Sequence, residues 1–426
     1  MKSPSVVTLK TRTSLVLVAG IAIREVFSFW TGHPFDFELW VRTGFWVAHG
    51  VSPYGVLGPV PGLSFSYIFS ASGESTIAYL PFWPLLLGGI YDLYSLVGGG
   101  DRFVYYFLLK QPEILGDVLL GYFISRCVKA VRPDFANKAL ALWLMSPFTI
   151  IISGIWGMFD SLAMLPVVMA LDSKKESTSA LLEGLAIWIK SIPLVFAVPI
   201  AFSGQNKLRN LAYAILLPVA ATLATIVILR WPVATAFATL QSTVGKGGQS
   251  LSAVGFAYYL IEFNAIGPVS SLELYAVRYV WIPAELIAIY LGYRWYGYST
   301  RRGLVQSLLL CTITFLLFKA QVNEQYGIYV LALALVDLSW NPSRKWLYVS
   351  LTAADMTFLL VNNVFLVRFL SPVYPDWSLT EAMLSRMMGP WTLRLELASS
   401  IAFVLLNVVY FVLIFRSRSS VPQRTT

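Results

Sequence analysis

Cysteine, histidine and charge are the scarce materials of this 426-residue chain. Cys127 and Cys311 are its only cysteines, too few for a disulfide framework or a thiolate metal site. His33 and His49 are its only histidines, so a histidine metal centre is nearly excluded as well. Charged residues make up 12% of the chain, half the share of an ordinary soluble domain. No Ser/Gly/Pro-rich linker or charged tract divides it into domains. Gly-x-x-x-x-Gly-Lys, the dinucleotide fingerprint and His-Glu-x-x-His are all missing, which leaves no sign of a nucleotide-driven engine.

What is present is apolar sequence, 57% of all residues. Apolar runs recur from residue 13 to 415, many near the ~20 residues a helix needs to cross a bilayer. The fold class this implies is all-α: a polytopic membrane protein, one transmembrane unit over 1–426. The first run, Thr13 to Trp30, follows Lys2, Lys10 and Arg12 and lacks a small-residue cleavage site. It predicts an uncleaved span with a cytoplasmic N-terminus. Further spans are predicted near 79–97, 104–125, 139–153, 158–171, 181–203, 211–229, 276–296, 304–319, 326–338, 346–369 and 396–415. The result is a bundle of roughly 11–13 helices.

The net charge of +9 is scattered through the short segments between runs, as orientation signals are, rather than gathered into a nucleic-acid patch. Arg416, Arg418 and Arg424 put the C-terminus inside. Working backward, Arg344/Lys345 and Arg301/Arg302 lie inside, and Lys319 to Gln325 and the 371–395 loop outside. In the middle, Lys129/Arg132/Lys138, Lys174/Lys175 and Lys207/Arg209 all prefer the cytoplasm, which simple crossings of 104–125 and 181–203 do not allow. Two resolutions stay open. Either these segments, with Lys110-Gln-Pro112 and Lys190-Ser-Ile-Pro193, are broken hairpins lining a polar cavity, or one basic loop violates the charge rule. Segment 232–275, with Gly245, Gly247 and Gly248, reads as an outside loop with interfacial or re-entrant helices.

Three polar constellations stand out. The first outside loop, 31–78, carries the acids Asp36 and Glu38 among aromatics, where a carboxyl acquires a perturbed pKa. Phe37, Trp40, Val41, Phe45 and Trp46 at helical spacing predict an interfacial helix there, ending at Gly50-Val-Ser-Pro53. Asp36 is either a functional acid or the cap of that helix. The second constellation is Lys319-Ala-Gln-Val-Asn323-Glu-Gln325-Tyr326, between two apolar runs. It is either a site for an anion such as phosphate or a snorkelling lysine at a span end. The third is the bend Ser146-Pro147 to Trp156-Gly157-x-x-Asp160, whose acid is either functional or a packing residue. Lys110, Asp117 and Lys190 are further buried-charge candidates.

Asp36-Phe-Glu38, Gly50-Val-Ser-Pro53-Tyr54 and Tyr79-Leu-Pro81-Phe-Trp-Pro84 resemble, in that order, the first outside loop of the GT-C superfamily. These are multispanning glycosyltransferases that use polyprenyl-phosphate sugars. The Trp156-Gly157-x-x-Asp160 bend resembles the NP … WGQxD signature of polyprenol-dependent mannosyltransferases, with Ser146 for Asn and Met158 for Gln. Phe318-Lys319 to Gln325-Tyr326 resembles the NKVxTxQY motif of the catalytic subunit that adds the first mannose to GPI anchors. It departs from that motif at Phe318 and Glu324. The likeness covers residues 30–330.

The resemblance implies inverting transfer of a sugar, mannose by these motifs, from dolichyl or other polyprenyl phosphate to an acceptor hydroxyl on the extracytoplasmic or lumenal side. Asp36 would be the general base and Glu38 a second acid positioning the acceptor. Lys319, with Asn323, Gln325 and Tyr326, would hold the leaving phosphate, and Tyr79, Trp156, Asp160, Lys110 and Lys190 would complete the substrate site. The family needs no metal or other cofactor beyond its lipid-linked donor. Its acceptors are glycans, lipids or proteins. Its members are multi-pass proteins of the plasma membrane in prokaryotes and of the endoplasmic reticulum in eukaryotes. A transporter or flippase for lipid-linked sugars or small polar solutes is the competing reading, with Lys110, Asp117, Asp160 and Lys190 along a pathway. Against it, no inverted repeat is visible and an acid-bearing first loop has no transport rationale. A non-catalytic subunit of a glycosylation complex would require Asp36 to be dispensable.

Overall fold

The computed structural model describes residues 6–65, 77–244, 279–319, 322–374, 382, 385–386 and 389–417. Within them the chain is all-helical, as expected. Three helices are long and apolar enough to cross a membrane: Lys207–Ile228, Arg301–Phe318 and Pro390–Ser417. A fourth crossing is available if Pro133–Leu144 and Pro147–Trp156, bent by 48°, form one broken span. Among the described residues fewer helices pass by length and composition alone than the 11–13 spans expected, because several apolar runs are interrupted or carry charges that only protein contacts make tolerable.

The first helix, Val6–Ser28, illustrates the second case. Its Arg24 is fully buried and donates to Asp117 Oδ2 at 2.8 Å, Ser153 Oγ at 3.0 Å, Thr149 Oγ1 at 3.0 Å and the Leu144 carbonyl at 3.0 Å. Asp117 also accepts from the Trp143 indole at 3.0 Å and the Ser161 hydroxyl at 2.7 Å. With both charges paired and hydrogen-bonded, this network locks helices together, so Asp117 serves packing rather than a transport pathway.

Of the two resolutions left open, the broken hairpin does not hold for 104–125. Helix Arg102–Lys129 runs continuously through Pro112. Its N-terminus is capped by Asp101, which accepts from the Phe103 N–H at 2.8 Å, and Arg126 and Lys129 suit the negative end of its dipole. The 181–203 segment is broken. Helix Glu176–Ile189 stops at Lys190, whose backbone is extended, and a 3-10 turn Ile192–Phe196 leads into Ala197–Ala201. Pro193 has no N–H to continue the first helix.

Helix Gly327–Asp337, buried along its whole length, is the axis of the bundle. It packs on Arg301–Phe318, Lys345–Asn362, Asp160–Asp172 and Arg102–Lys129. The periphery is inverted relative to a soluble protein. Helix Lys207–Ile228 turns Leu208, Leu216, Leu223, Val227 and Ile228 outward, a face that only lipid solvates well.

The amphipathic helix of the first loop forms at Asp36–Ala48 and buries Phe37, Trp40 and Val41 as it packs on Phe82–Leu96. Of the 232–275 segment, the helix Val233–Val244 is present, and 245–275 lies outside the described residues.

Candidate active site

The polar constellations of the first loop, the bend and the break meet at one place. Asp36 is the first helical residue after the N-cap Phe35, and among the described hydrogen bonds its carboxylate takes no backbone N–H of the helix. The capping alternative is therefore not what its carboxylate does. Oδ2 instead accepts from the Trp156 indole at 3.0 Å and lies 3.2 Å from His33 Nδ1. The same ring nitrogen faces the backbone N–H groups of Phe35 and Asp36 at 3.4 Å, so the contact with Oδ2 is a hydrogen bond only in the form where Nδ1 carries the proton. The His33 ring stacks on Trp156 at 4.7 Å.

Burial raises the Asp36 pKa, but the His33 hydrogen bond and charge, the Trp156 indole and the Lys190 charge outweigh it, and the carboxyl is held below its ordinary value. Burial lowers the pKa of His33 in spite of Asp36. At neutral pH the pair is an ionised carboxylate with a neutral imidazole, and about 29% of the Asp36 side chain is open to an incoming group.

Trp156 is aimed by its backbone. The π-helical turn Ile151–Trp156 ends at Gly157, where φ is +85°. A Cβ there would stand 2.9 Å from the Phe37 ring, so glycine alone fits. The Gly157 carbonyl accepts from the Trp40 indole at 2.9 Å. Lys110 spends its three protons beneath the same turn, on Thr31 Oγ1 at 2.8 Å and the carbonyls of Gly154 and Ile155 at 3.0 and 2.9 Å. It braces the Trp156 turn, and the expected role of substrate ligand is not open to it in this arrangement.

Asp160 opens the next helix, and its Oδ1 pairs with Lys190 Nζ at 2.8 Å, both side chains buried. The ammonium also faces Phe159, Tyr326 and Tyr79 at 4.8, 5.3 and 5.6 Å from the ring centroids. Asp36, Tyr79, Trp156, Asp160, Lys190 and Tyr326 are thus brought together.

Glu38 and Lys319 make other contacts. Glu38 Oε1 is bound to Arg42 at 2.6 Å and Oε2 accepts from the Phe65 N–H at 2.9 Å. Although Arg42 is adjacent, burial dominates and raises its pKa. Glu38 pins the loop against its helix, which leaves no free oxygen for a second catalytic acid. Lys319 ends helix Arg301–Phe318 with its ammonium 5.2 Å from the Trp281 ring centroid. Burial lowers its pKa to about 8. Asn323 and Gln325 flank Glu324 at the 3-10 turn Glu324–Tyr326, where Gln325 is buried.

Two residues at the site, His33 and Arg368, are not among those the sequence singled out. The 3-10 turn Val367–Leu370 follows Val364, Phe365 and Leu366, three successive non-glycine residues at positive φ. Such strain persists only where the surroundings impose it. The turn docks on the first loop: the Gly32 N–H donates to the Phe369 carbonyl at 2.8 Å, and the Phe369 ring lies 5.5 Å from Trp156 and 5.8 Å from His33. Arg368 Nε is buried with no hydrogen-bond partner. A charged residue inside a run predicted as a span was the available signal, and one of two histidines beside Asp36 was the other. Among the described residues, no group of three or more His, Cys, Asp or Glu side chains is placed to hold a metal ion.

Trp156→Phe is expected to remove one of the bonds that stabilise ionised Asp36 and so raise its pKa. If Asp36 must be ionised to act, the acid limb of the pH–rate profile moves to higher pH. An unmoved limb would separate Asp36 from the rate.

Residues 114–319 match Glycosyltransferase family 87. No curated protein matches the chain. Among solved structures, the crystal structure of ArnT from Cupriavidus metallidurans bound to undecaprenyl phosphate aligns with a TM-score of 0.48 at 12% identity, covering 96% of this chain and 77% of that one.

Proposed function

We propose that this chain is a membrane glycosyltransferase that moves a sugar from a polyprenyl-phosphate donor to an acceptor hydroxyl, with inversion, on the extracytoplasmic side. The observation that carries the reading is the Asp36 carboxylate, ionised and partly open, hydrogen-bonded to the Trp156 bend. The family 87 match, which includes that bend, supports it. Mannose is the sugar that the bend and late-loop resemblances favour.

In the reaction Asp36 takes the proton of the acceptor hydroxyl as that oxygen forms its bond to the anomeric carbon. The bond from the anomeric carbon to the phosphate oxygen breaks on the opposite face, and polyprenyl phosphate leaves with the electron pair. Burying that charge requires cations. Lys319 is the one expected from the motif. Arg368, on the turn that touches His33 and Trp156, is a second. Lys190 is already neutralised by Asp160 and acts through the field it places on Asp36.

The test is transfer by purified protein from polyprenyl-phosphate mannose and polyprenyl-phosphate glucose to a panel of acceptors, with the product anomer assigned by NMR. Flux of label across sealed vesicles without covalent transfer would favour the transporter reading instead. Lys319→Ala and Arg368→Ala discriminate the phosphate contacts. The residue that holds the phosphate should raise donor KM by about 10-fold or more, and a variant with unchanged donor dependence drops out.

A further inference from the structure

Beside the proposed base lies a group of oxygens with no donors to satisfy them. Glu324 is fully buried in the turn Glu324–Tyr326. Its Oε1 accepts from the side-chain amides of Asn362 at 2.6 Å and Asn363 at 3.3 Å. These bonds fix which end of each amide faces the carboxylate, since only the NH2 can donate to it. Glu324 Oε2, Asn362 Oδ1 and Asn363 Oδ1 are then left buried without a partner, as is Oε1 of the adjoining Gln325. A buried polar atom left unpaired costs about 1–3 kcal/mol, so several together indicate a ligand that supplies the missing hydrogens.

The charges nearby narrow the ligand's chemistry. Burial pushes the Glu324 pKa up to about 7 in spite of Arg368, and Asp36, Asp355 and Glu396 are the neighbouring carboxyls. A phosphate brings only acceptors and negative charge, so it does not fit this wall. The ring hydroxyls of a pyranose do fit: they are neutral, closely spaced donors, and a carboxylate flanked by amide oxygens takes adjacent ones. The wall is also tied to the site. Asn363 immediately precedes the strained turn whose Phe369 contacts His33 and Trp156, and Tyr326, at the other end of the Glu324 turn, faces Lys190.

We propose that Glu324, Asn362 and Asn363 form a sugar-recognition wall that accepts hydrogen bonds from ring hydroxyls of a pyranose and sets which sugar is used. This rests on the glycosyltransferase reading for its setting, and on the unpaired oxygens for its chemistry. The pyranose belongs to the transferred group or to a glycan acceptor, and kinetics separate the two.

The experiment measures KM and kcat for donor and acceptor with wild type, Glu324→Gln and Asn362→Ala, using parent sugars and analogues that each lack one ring hydroxyl. The expected result is a rise of about 10- to 100-fold in KM for one substrate, and no further rise when the contacted hydroxyl is already absent. A rise in donor KM assigns the wall to the transferred sugar, and a rise in acceptor KM assigns it to the acceptor. Penalties that simply add for every analogue, or KM values that stay put, would overturn the proposal. A binding arm keeps this independent of turnover. Polyprenyl-phosphate sugar should raise the thermal midpoint more than polyprenyl phosphate alone, and the difference should shrink in either variant. If wild type transfers nothing yet shows that difference, the wall stands and the transferase reading falls. If the difference is absent, or persists in both variants, the wall falls.

Discussion

Asp36→Asn is expected to lower sugar transfer by roughly 10²- to 10⁴-fold, the range that a positioned general base contributes, while yield and thermal midpoint stay near wild type. The substitution conserves volume and removes only the charge and the basic lone pair. The amide oxygen it introduces can still accept from the Trp156 indole, which lies 3.0 Å from the carboxylate. Fold stability should survive because Trp156 and His33 both meet the one oxygen that the amide keeps, and about 29% of the side chain is exposed. Transfer by Asp36→Asn above about a tenth of wild type would place the base elsewhere, because no base worth 10² could then have been removed. Loss of both fold and activity would instead show Asp36 to be structural, and Asp36→Glu separates the cases. It keeps the charge and should retain fold with partial turnover.

Lys190→Met is expected to have the largest effect on stability. It leaves the Asp160 carboxylate buried without the ammonium that now lies 2.8 Å away. Breaking one side of a buried pair typically costs about 3–5 kcal/mol, on the order of the stability margin of many proteins. It also removes the cation from between the rings of Phe159, Tyr326 and Tyr79, a further loss of roughly 0.5–2 kcal/mol. Yield of monodisperse protein and its thermal midpoint should fall together. The double variant Lys190→Met/Asp160→Asn removes both charges, so yield and midpoint should recover in large part. Lys190→Met by itself takes from Asp36 one of the charges that lower its pKa, so the acid limb of its remaining transfer should sit higher than in wild type, whereas the double variant also removes the opposing Asp160 charge. A single variant as stable as wild type would mean that the pair does not hold the fold. A single variant with an unshifted acid limb would mean that Lys190 does not act on Asp36.

These variants separate two kinds of charge that look alike in a sequence. Lys110, Asp117, Asp160 and Lys190 are all isolated ionisable residues in apolar surroundings, and nothing local distinguishes them. Partners far along the chain do. Arg24 claims Asp117 across 93 residues, and Gly154 and Ile155 claim Lys110 across 44 and 45. Glu38 is claimed in the same way. Its partner Arg42, one turn on, was visible in the sequence as an i,i+4 pair, but the Phe65 N–H that takes its second oxygen comes from 27 residues on.

By itself the sequence determined the solvent of the fold and the local shape of the acid-bearing loop. Both depend on short-range properties: runs of apolar residues that water cannot solvate, and a helical spacing of aromatics that allows one packed face at Asp36–Ala48. It also put Asp36, Trp156 and Asp160 among the residues to watch, because acids and bends are conspicuous in so apolar a chain. Only the tertiary structure decided which of these meet. It gave Lys190 to Asp160, brought His33 and the Arg368 turn to the base, and left oxygens of Glu324, Asn362 and Asn363 unpaired together. Those outcomes depend on how each charge distributes its hydrogen bonds over the whole bundle, and in a low-dielectric interior that distribution decides whether a buried group is consumed by packing or left to act.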